Sequence, residues 1–363
     1  MGFGRKTNIK NASLKEKRQF IAALCKDEES ESRLNHLRDL ARSGNFLKWD
    51  NAMVNQVDWN TQILRMSASE LSFSLNAQAM TLTSPSNLVR WGFNHVARCL
   101  LCSKHAASAA HILSGCPVSL FQNRYTWRHD NIIRTIIPDL RGLINRANRN
   151  TSPPPVIPHI SSSFNNSSSS SRPRTRKRTC LLDGANDWIL AIDLDGAFVW
   201  PATDVPTSQR PDIVIASVSS RTIIWGELTS PKESRMAISA LTKTERYSTL
   251  KTSLLSKEWK VHDFTFEVGS IGVLANTVRR FLLGIGFYGC QLKALYRRMS
   301  QTAVRSSFYI WSARHSHNLC PPTLCRASPV EKATTTTAVL FPSSTPSSAP
   351  VPRLPKPLFT RPV

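Results

Sequence analysis

A segment near the middle of the chain, low in apolar residues and rich in Ser and Pro, most constrains the fold. Residues 151–179 read TSPPPVIPHISSSFNNSSSSSRPRTRKRT. Such a composition cannot bury enough apolar surface to offset the entropy lost on ordering. It predicts a linker, so the 363-residue chain is expected to be organised in several parts. The basic end, residues 172–178, is either a solvated charged stretch or a phosphate-binding or nuclear-import segment.

Helical periodicity dominates the sequence before this linker. Helices are predicted over residues 13–43 and 67–79, where apolar side chains recur at helical intervals. Each begins with a serine followed three residues later by a glutamate, the spacing of a capping box: Ser13 with Glu16, and Ser67 with Glu70. Gly44 is predicted to end the first helix.

After the linker the pattern changes to short apolar or β-branched runs bounded by turn residues. Strands are predicted at residues 189–195, 211–218, 221–228 and 260–269, and helices at about 232–258 and 275–299. The order β, β, β, α, β, α predicts an α/β domain with a mixed central sheet. From about residue 320 the chain is rich in Pro, Ser and Thr, which predicts disorder.

Together these patterns predict an α+β protein of several parts. The predicted parts are a helical region (1–95), a Cys/His and basic/aromatic region (96–150), a disordered linker (151–179), an α/β domain (180–300) and a mostly disordered tail (301–363).

Cysteines and histidines are concentrated in CLLCSKHAASAAHILSGC, residues 99–116. The spacing C-x2-C-x8-H-x4-C provides four ligands for a tetrahedral Zn²⁺, with Zn–S distances of about 2.3 Å. The predicted ligands are Cys99, Cys102, His111 and Cys116. Four protein ligands leave no open position, which favours a structural ion. His105 is a rival ligand, and the alternative is a set of buried thiols with an incidental histidine.

The charge of the chain favours an anionic partner. Lys and Arg number 47 against 24 Asp and Glu, for a formal net charge of +23. Nucleic acid is the leading candidate for that partner. No apolar run reaches the roughly 20 residues of a membrane helix, and the first residues lack the apolar core of a signal peptide. We therefore expect a soluble intracellular protein, nuclear or cytoplasmic.

The sequence around the cysteines resembles a known family. The segment SPSNLVRWGFNHVARCLLCSKHAASAAHILSGCPVSLFQNRYTWRHDNIIRTI resembles the region after the polymerase domain in non-LTR retrotransposon reverse transcriptases that carry a restriction-like endonuclease. The resemblance covers roughly residues 40–290, including GNFLKWDNAMVNQVDWNTQIL upstream. It implies a CCHC zinc knuckle followed by an aromatic and basic segment, matched here by Arg124, Tyr125, Trp127, Arg128 and His129.

The motif RYTWRHD, residues 124–130, allows two interpretations. Its aromatic rings can stack on bases and its cations can contact phosphates, which predicts a nucleic-acid surface. Alternatively, it is the start of a helix whose aromatic side chains pack into the core.

Two carboxylates follow the linker, Asp212 and Glu227, near the ends of adjacent predicted strands joined by a turn. A hairpin of this length can bring both to one edge of the sheet. Carboxylate oxygens suit Mg²⁺, which would activate water and stabilise charge on a scissile phosphate. Asp193 and Asp195 either add a further acidic ligand or form a turn with Gly196.

This pair is similar to the PD-(D/E)-x-K nuclease signature, whose fold has the same order of strands and helices. The chain departs from that signature because Thr229 stands where the lysine is expected. In some members the lysine comes from the following helix, which here provides Lys243, with Tyr247 one turn later and Lys232 as the alternative. Arg210 either meets a backbone phosphate or is solvated.

The resemblance implies an Mg-dependent endonuclease that nicks target DNA so that the free 3′ end primes reverse transcription. DNA, RNA and the polymerase part of the same element are the expected partners. The sequence has no Tyr-x-Asp-Asp polymerase motif, so polymerase activity is not expected. The alternatives are an inactive zinc-containing nucleic-acid-binding remnant and an unstable relic.

Overall fold

The computed structural model describes residues 12–40, 45–52, 57, 59–93, 96–104, 106–149, 180–196 and 198–316. The predicted linker, its basic end, Gly44, His105 and the tail beyond residue 316 lie outside the described residues.

A four-stranded mixed sheet forms the centre of the structure. Its strands, in chain order and in spatial order, are β1 (Ile189–Ile192), β2 (Ile213–Ser217), β3 (Thr222–Thr229) and β4 (Lys260–Glu267). β1, β2 and β3 pair antiparallel, whereas β3 and β4 pair parallel. The mixed α/β class predicted for this region is therefore confirmed.

Eleven α-helices lie within the described residues. They are α1 (Leu14–Asp39), α2 (Trp59–Ile63), α3 (Ala68–Gln78), α4 (Pro85–Arg90), α5 (Ala109–Ser114), α6 (Pro117–Phe121), α7 (Arg124–Arg149), α8 (Met236–Arg246), α9 (Ser248–Leu255), α10 (Asn276–Ile285) and α11 (Gly289–Ser312). The capping boxes predicted for α1 and α3 are both present. No helix in these ranges is long and apolar enough to cross a membrane.

Two helices are divided where the sequence predicted continuous ones. The predicted helix over 232–258 is broken at Tyr247, which separates α8 from α9. The predicted helix over 275–299 is broken by Gly286, whose φ of +107° ends α10 in the left-handed region that glycine adopts readily. α11 then continues through Ser312 because it buries side chains such as Ile310 and Trp311. Residues 301–312 are therefore helical, where the sequence predicted the start of a disordered tail.

The helix α7 packs into the main core beside the sheet. Ile132, Ile136 and Leu140 on its inner face are fully buried and share a cluster with Leu228 of β3 and Phe281 of α10. This confirms the helix-start interpretation of RYTWRHD. The core therefore contains side chains from both sides of the predicted linker, and the division of the chain at that linker stays a prediction.

Candidate functional site

The four residues predicted as zinc ligands lie together. One ligand atom from each of Cys99, Cys102, His111 and Cys116 lies within 4.8 Å of the others. The Sγ atoms of Cys99 and Cys116 are 3.9 Å apart, and Cys102 Sγ is 3.3 Å from His111 Nε2. Tetrahedral thiolates at about 2.3 Å from a zinc ion are about 3.8 Å apart. The donor set can hold a metal ion and is compatible with zinc.

Local backbone structure explains how this cluster forms. The turn after Cys99 is closed by Ser103 N donating to Cys99 O at 2.8 Å, with Ser103 at a φ of +57°. Ser108 caps α5, which carries His111, and Cys116 is the N-cap of α6. Burial, with a smaller effect of Lys104, lowers the pKa of His111. The imidazole is thereby kept neutral, the form that binds a metal.

A second site forms where β2 begins and β3 ends. The Asp212 backbone N–H donates to Glu227 Oε2 at 3.1 Å, and the Leu228 N–H donates to Asp212 Oδ2 at 2.7 Å. Both carboxylates are buried. The antiparallel register of β2 and β3 pairs Ile213 with Gly226, which places the residues just outside that pair beside each other. The structure therefore brings Asp212 and Glu227 together at one edge of the sheet, as the sequence predicted.

The helix after β3 contributes a cation and a phenol to this pair. Lys243 Nζ forms an ion pair with Glu227 Oε1, and Tyr247 Oη donates to Glu227 Oε2 at 3.0 Å. Of the two lysines considered from sequence, Lys232 is buried elsewhere, with Nζ at 3.2 Å from Met80 Sδ. Thr229 is buried, and its hydroxyl has no hydrogen-bond partner among the described residues. Lys243 is thus the lysine that contacts Glu227.

Burial and like charge act on this pair. Burial raises the pKa of Glu227, the charge of Asp212 raises it further, and Lys243 opposes both effects. Burial and the neighbouring Glu227 also raise the pKa of Tyr247, so its hydroxyl stays protonated and donates. An electropositive ligand between the two carboxylates would relieve their repulsion.

His129 takes part in this site, although the sequence suggested a different role for it. Its Nε2 lies 3.1 Å from Asp212 Oδ2, and its Nδ1 lies 3.0 Å from Asp130 Oδ1. Burial lowers the pKa of His129, but the hydrogen bonds to Asp130 and Asp212 outweigh that effect and raise it to about 10. No local spacing links His129 to Asp212, because 83 residues separate them in the chain.

Most of the predicted nucleic-acid contacts of RYTWRHD do not face outward. Arg124 and Arg128 are essentially inaccessible. Arg124 donates to Ala313 O at 2.8 Å, and Arg128 donates to Leu113 O at 2.8 Å. The prediction that these two guanidinium groups bind nucleic acid is wrong, because the protein's own carbonyl oxygens already engage them.

The two aromatic residues of the motif also pack inward. Tyr125 Oη lies 3.0 Å from the Cys116 N–H, which donates to it, and itself donates to Ile112 O at 2.9 Å. Trp127 packs edge-on against the ring of Tyr309, with 6.2 Å between ring centroids. Both rings are half-buried and contact other parts of the protein, and their role in base stacking stays a prediction.

The remaining predicted residues lie beside the carboxylate pair. Arg210 is about half exposed and forms an ion pair with Asp193 at 2.5 Å. The Asp193 backbone N–H donates to Asp212 O at 2.9 Å. Asp195 and Gly196 have φ values of +55° and +76°, which confirms the turn interpretation for this segment. The Asp193 carboxylate is engaged by Arg210, and Arg210 remains partly accessible to a phosphate.

A pocket of about 260 Å³ opens beside Glu227. Trp225 and Tyr247 supply aromatic walls, and Lys243 and Arg280 supply cations. A ligand can therefore approach Glu227 from this pocket.

No protein-family model matches the chain, and a comparison with curated proteins finds no similar sequence. The assignment to a family rests on the sequence resemblance and stays a proposal.

Proposed function

We propose that the chain binds nucleic acid and hydrolyses a phosphodiester bond of DNA at the site of Asp212, Glu227 and Lys243. One observation carries this proposal: β2, β3 and α8 bring two buried carboxylates and a lysine to one point. Buried carboxylates that lie close together beside cationic groups are typical of functional sites, and a divalent cation with oxygen ligands would neutralise their charge.

The donor set fits Mg²⁺, since the site provides carboxylate oxygens and the ion prefers oxygen ligands with room for water and phosphate. Asp212 and Glu227 would hold the ion. When bound, it would supply Lewis-acid polarisation of the phosphate and an activated water. Tyr247 fixes Glu227 by its hydrogen bond. Lys243 provides a positive charge where charge develops on a phosphate, replacing the lysine that the sequence lacks at position 229.

The order of elements supports the same proposal. β1, β2, β3, the two short helices α8 and α9, β4 and α10 follow one another, an order that agrees with the β, β, β, α, β, α order that the resemblance implies when α8 and α9 are counted as one helical region, and the Cys/His cluster precedes them. We propose that the chain corresponds to the C-terminal part of a non-LTR retrotransposon polyprotein. It would nick target DNA inside the cell so that the free 3′ end primes reverse transcription by the polymerase part of the element.

The test is nicking of supercoiled plasmid in the presence of Mg²⁺. Asp212→Asn removes a proposed metal ligand and Lys243→Met removes the cation. Each variant is expected to lose about 100- to 1,000-fold in rate, the effect of deleting one electrostatic group of an active site.

Two matched controls accompany these variants. Asp139→Asn neutralises a carboxylate in the second half of α7 that pairs with Arg298 of α11. Lys232→Met removes the buried lysine beside Met80. Both controls are expected to nick at the wild-type rate. Equal rates in wild type and Asp212→Asn would reject the assignment of Asp212. A loss in Lys232→Met with none in Lys243→Met would exchange the two lysines.

A second candidate function is nucleic-acid binding without cleavage. The missing lysine at position 229 and the net charge of +23 favour it. In that case every variant above would bind DNA with an affinity that falls steeply with salt, and none would cut it.

We further propose that the Cys/His cluster holds a structural zinc ion. Purified protein is expected to contain one zinc per chain, measured by a colorimetric chelator. His111→Ala is expected to lose the ion and unfold at lower temperature, because binding of a metal to the folded state stabilises it. The control His36→Ala changes an exposed histidine of α1. Retention of zinc by His111→Ala would exclude this ligand.

A further inference from the structure

The contact between His129 and Asp212 joins two regions that the sequence assigns to different parts of the chain. His129 lies in the second turn of α7, before the linker, and Asp212 lies immediately before β2. A contact within hydrogen-bond distance at such separation, 83 residues, is a tertiary feature of the site. The predicted α/β domain, residues 180–300, contains Asp212 but does not contain His129.

Two donors hold one oxygen of Asp212. The Leu228 backbone N–H donates to Oδ2 at 2.7 Å, and His129 Nε2 lies 3.1 Å from the same oxygen. Both contacts engage Oδ2, so together they orient the carboxylate. Both nitrogens of His129 lie within hydrogen-bond distance of carboxylate oxygens, which only accept hydrogen bonds when ionised, so the ring is placed to donate.

The imidazole is itself held in place from both sides. Asp130 fixes Nδ1 at 3.0 Å. The preceding residue, Arg128, donates to Leu113 O at 2.8 Å and to Ser230 Oγ at 3.0 Å. The first bond fixes α7 to the end of α5, and the second fixes it to the loop that follows β3. The histidine therefore meets Asp212 from a helix that cannot shift without breaking buried hydrogen bonds.

We propose that His129 is a positioning residue of the carboxylate site, which sets the orientation of Asp212 by donating from Nε2 to Oδ2. This inference rests on the proposed phosphodiesterase function, and it adds a residue of α7 to the proposed site. Groups that hydrogen-bond a metal-binding carboxylate typically contribute about 10- to 100-fold to metal affinity or activity.

Three substitutions separate positioning from a general structural role. In His129→Gln the amide nitrogen is as many bonds from Cβ as Nε2 of histidine, so a donor remains near Asp212. In His129→Asn the amide nitrogen corresponds to Nδ1, so the donor remains only near Asp130. His129→Ala removes both.

The expected order is specific to the proposal. His129→Asn and His129→Ala should lower kcat for plasmid nicking by about 10- to 100-fold and weaken Mn²⁺ binding by a similar factor, with KM for DNA nearly unchanged. His129→Gln should recover most of both. Thermal unfolding is measured for all three, because a purely structural histidine would lower activity and melting temperature in parallel. Equal losses in the Gln and Asn variants would overturn the proposal.

A further measurement does not depend on cleavage. A double-mutant cycle combines His129→Ala with Asp212→Asn in the full chain and follows urea unfolding. Non-additive effects support the contact, since the two side chains then stabilise each other. Additive effects overturn the proposal even if wild type nicks DNA. Absence of nicking by wild type, together with a non-additive cycle, would reject the phosphodiesterase function and leave the pairing of His129 with Asp212 standing.

Discussion

Arg124 and Arg128 show how burial changes the role of a basic side chain. In sequence they stand beside aromatic residues, a pattern typical of nucleic-acid contacts. In the structure burial lowers the pKa of Arg128 to about 10, and carbonyl oxygens from distant segments satisfy its guanidinium. The acceptors of Arg128 are Leu113 O, before it in the chain, and Ser230 O, which lies 102 residues after it. No local sequence pattern could have predicted that Arg128 contacts them. The same limit applies to His129, whereas Asp212 and Glu227 were predictable because a short hairpin joins them.

A different carboxylate gives a prediction about pH. Asp187 accepts hydrogen bonds from Ser217 Oγ at 2.5 Å and from the Ser219 N–H at 2.8 Å. Burial raises the pKa of Asp187, but these hydrogen bonds outweigh burial and lower it from 3.8 to about 2. Because the folded pKa is depressed, the stabilisation is complete above about pH 5, well above the unfolded pKa, and is lost as the pH falls through about 2.

The measurement is urea unfolding of wild type and Asp187→Asn between pH 2 and pH 6. Above about pH 5 the variant is expected to unfold with a free energy lower by about 1.5 kcal/mol, the lower end for hydrogen bonds to a charged group. The difference should shrink toward pH 2. The control Asp27→Asn changes an exposed aspartate of α1. A difference that stays constant with pH would contradict the assigned role of the Asp187 charge.

At the scale of elements, the packing of β3 against α10 depends on one glycine. Strand spacing predicts β3, but it does not show that Gly226 faces the rings of Phe266 and Phe281. A Cβ atom at Gly226 would lie 2.9 Å from atoms of both rings, closer than real contacts allow. These rings stack with 4.7 Å between centroids. Both helical regions were predicted, but apolar periodicity did not locate their breaks, at Tyr247, which packs beside Glu227, and at Gly286, where the backbone is left-handed.

Gly226→Ala is expected to destabilise the fold by about 1–3 kcal/mol, because an overpacked core forces neighbouring side chains from their rotamers. The matched control is Gly142→Ala in α7, where the added Cβ would meet only the end of the Arg146 side chain, at 3.6 Å. Since alanine favours helix more than glycine does, the control should raise stability by about 0.5–1 kcal/mol. Urea unfolding measures the change in the free energy of unfolding for both variants. The change is expected to be negative for Gly226→Ala and positive for Gly142→Ala.

At the scale of the whole molecule, the sheet and α7 share one core. Ile132, Ile133, Ile136, Leu140 and Ile144 of α7 are buried in the cluster that contains Leu228 and Phe266. The sequence predicted the strands and their order well, because each strand is a short local pattern. It did not predict that a helix before the linker covers them, because the pattern of α7 shows an apolar face without identifying what that face contacts.

This arrangement predicts the behaviour of fragments. A fragment of residues 180–316 lacks α7 and would expose the apolar side chains that α7 covers, so it is expected to show no cooperative thermal transition. A fragment of residues 96–316 retains α7 and the Cys/His cluster, and it is expected to unfold cooperatively when zinc is present. Calorimetry and near-UV circular dichroism distinguish the two. Cooperative unfolding of residues 180–316 would instead support the domain boundary predicted at residue 180.

The acceptors of Arg124 and Arg128 also bear on how the chain folds in time. Arg124 donates to a carbonyl 189 residues later, and Arg128 to a hydroxyl 179 residues later. Contacts this distant slow folding, because the loop entropy is lost before they form. During synthesis the bond from Arg124 to Ala313 and the bond from Arg128 to Ser307 cannot form until these acceptors leave the ribosome. Docking of α11 on α7 is therefore expected to be a late event in folding.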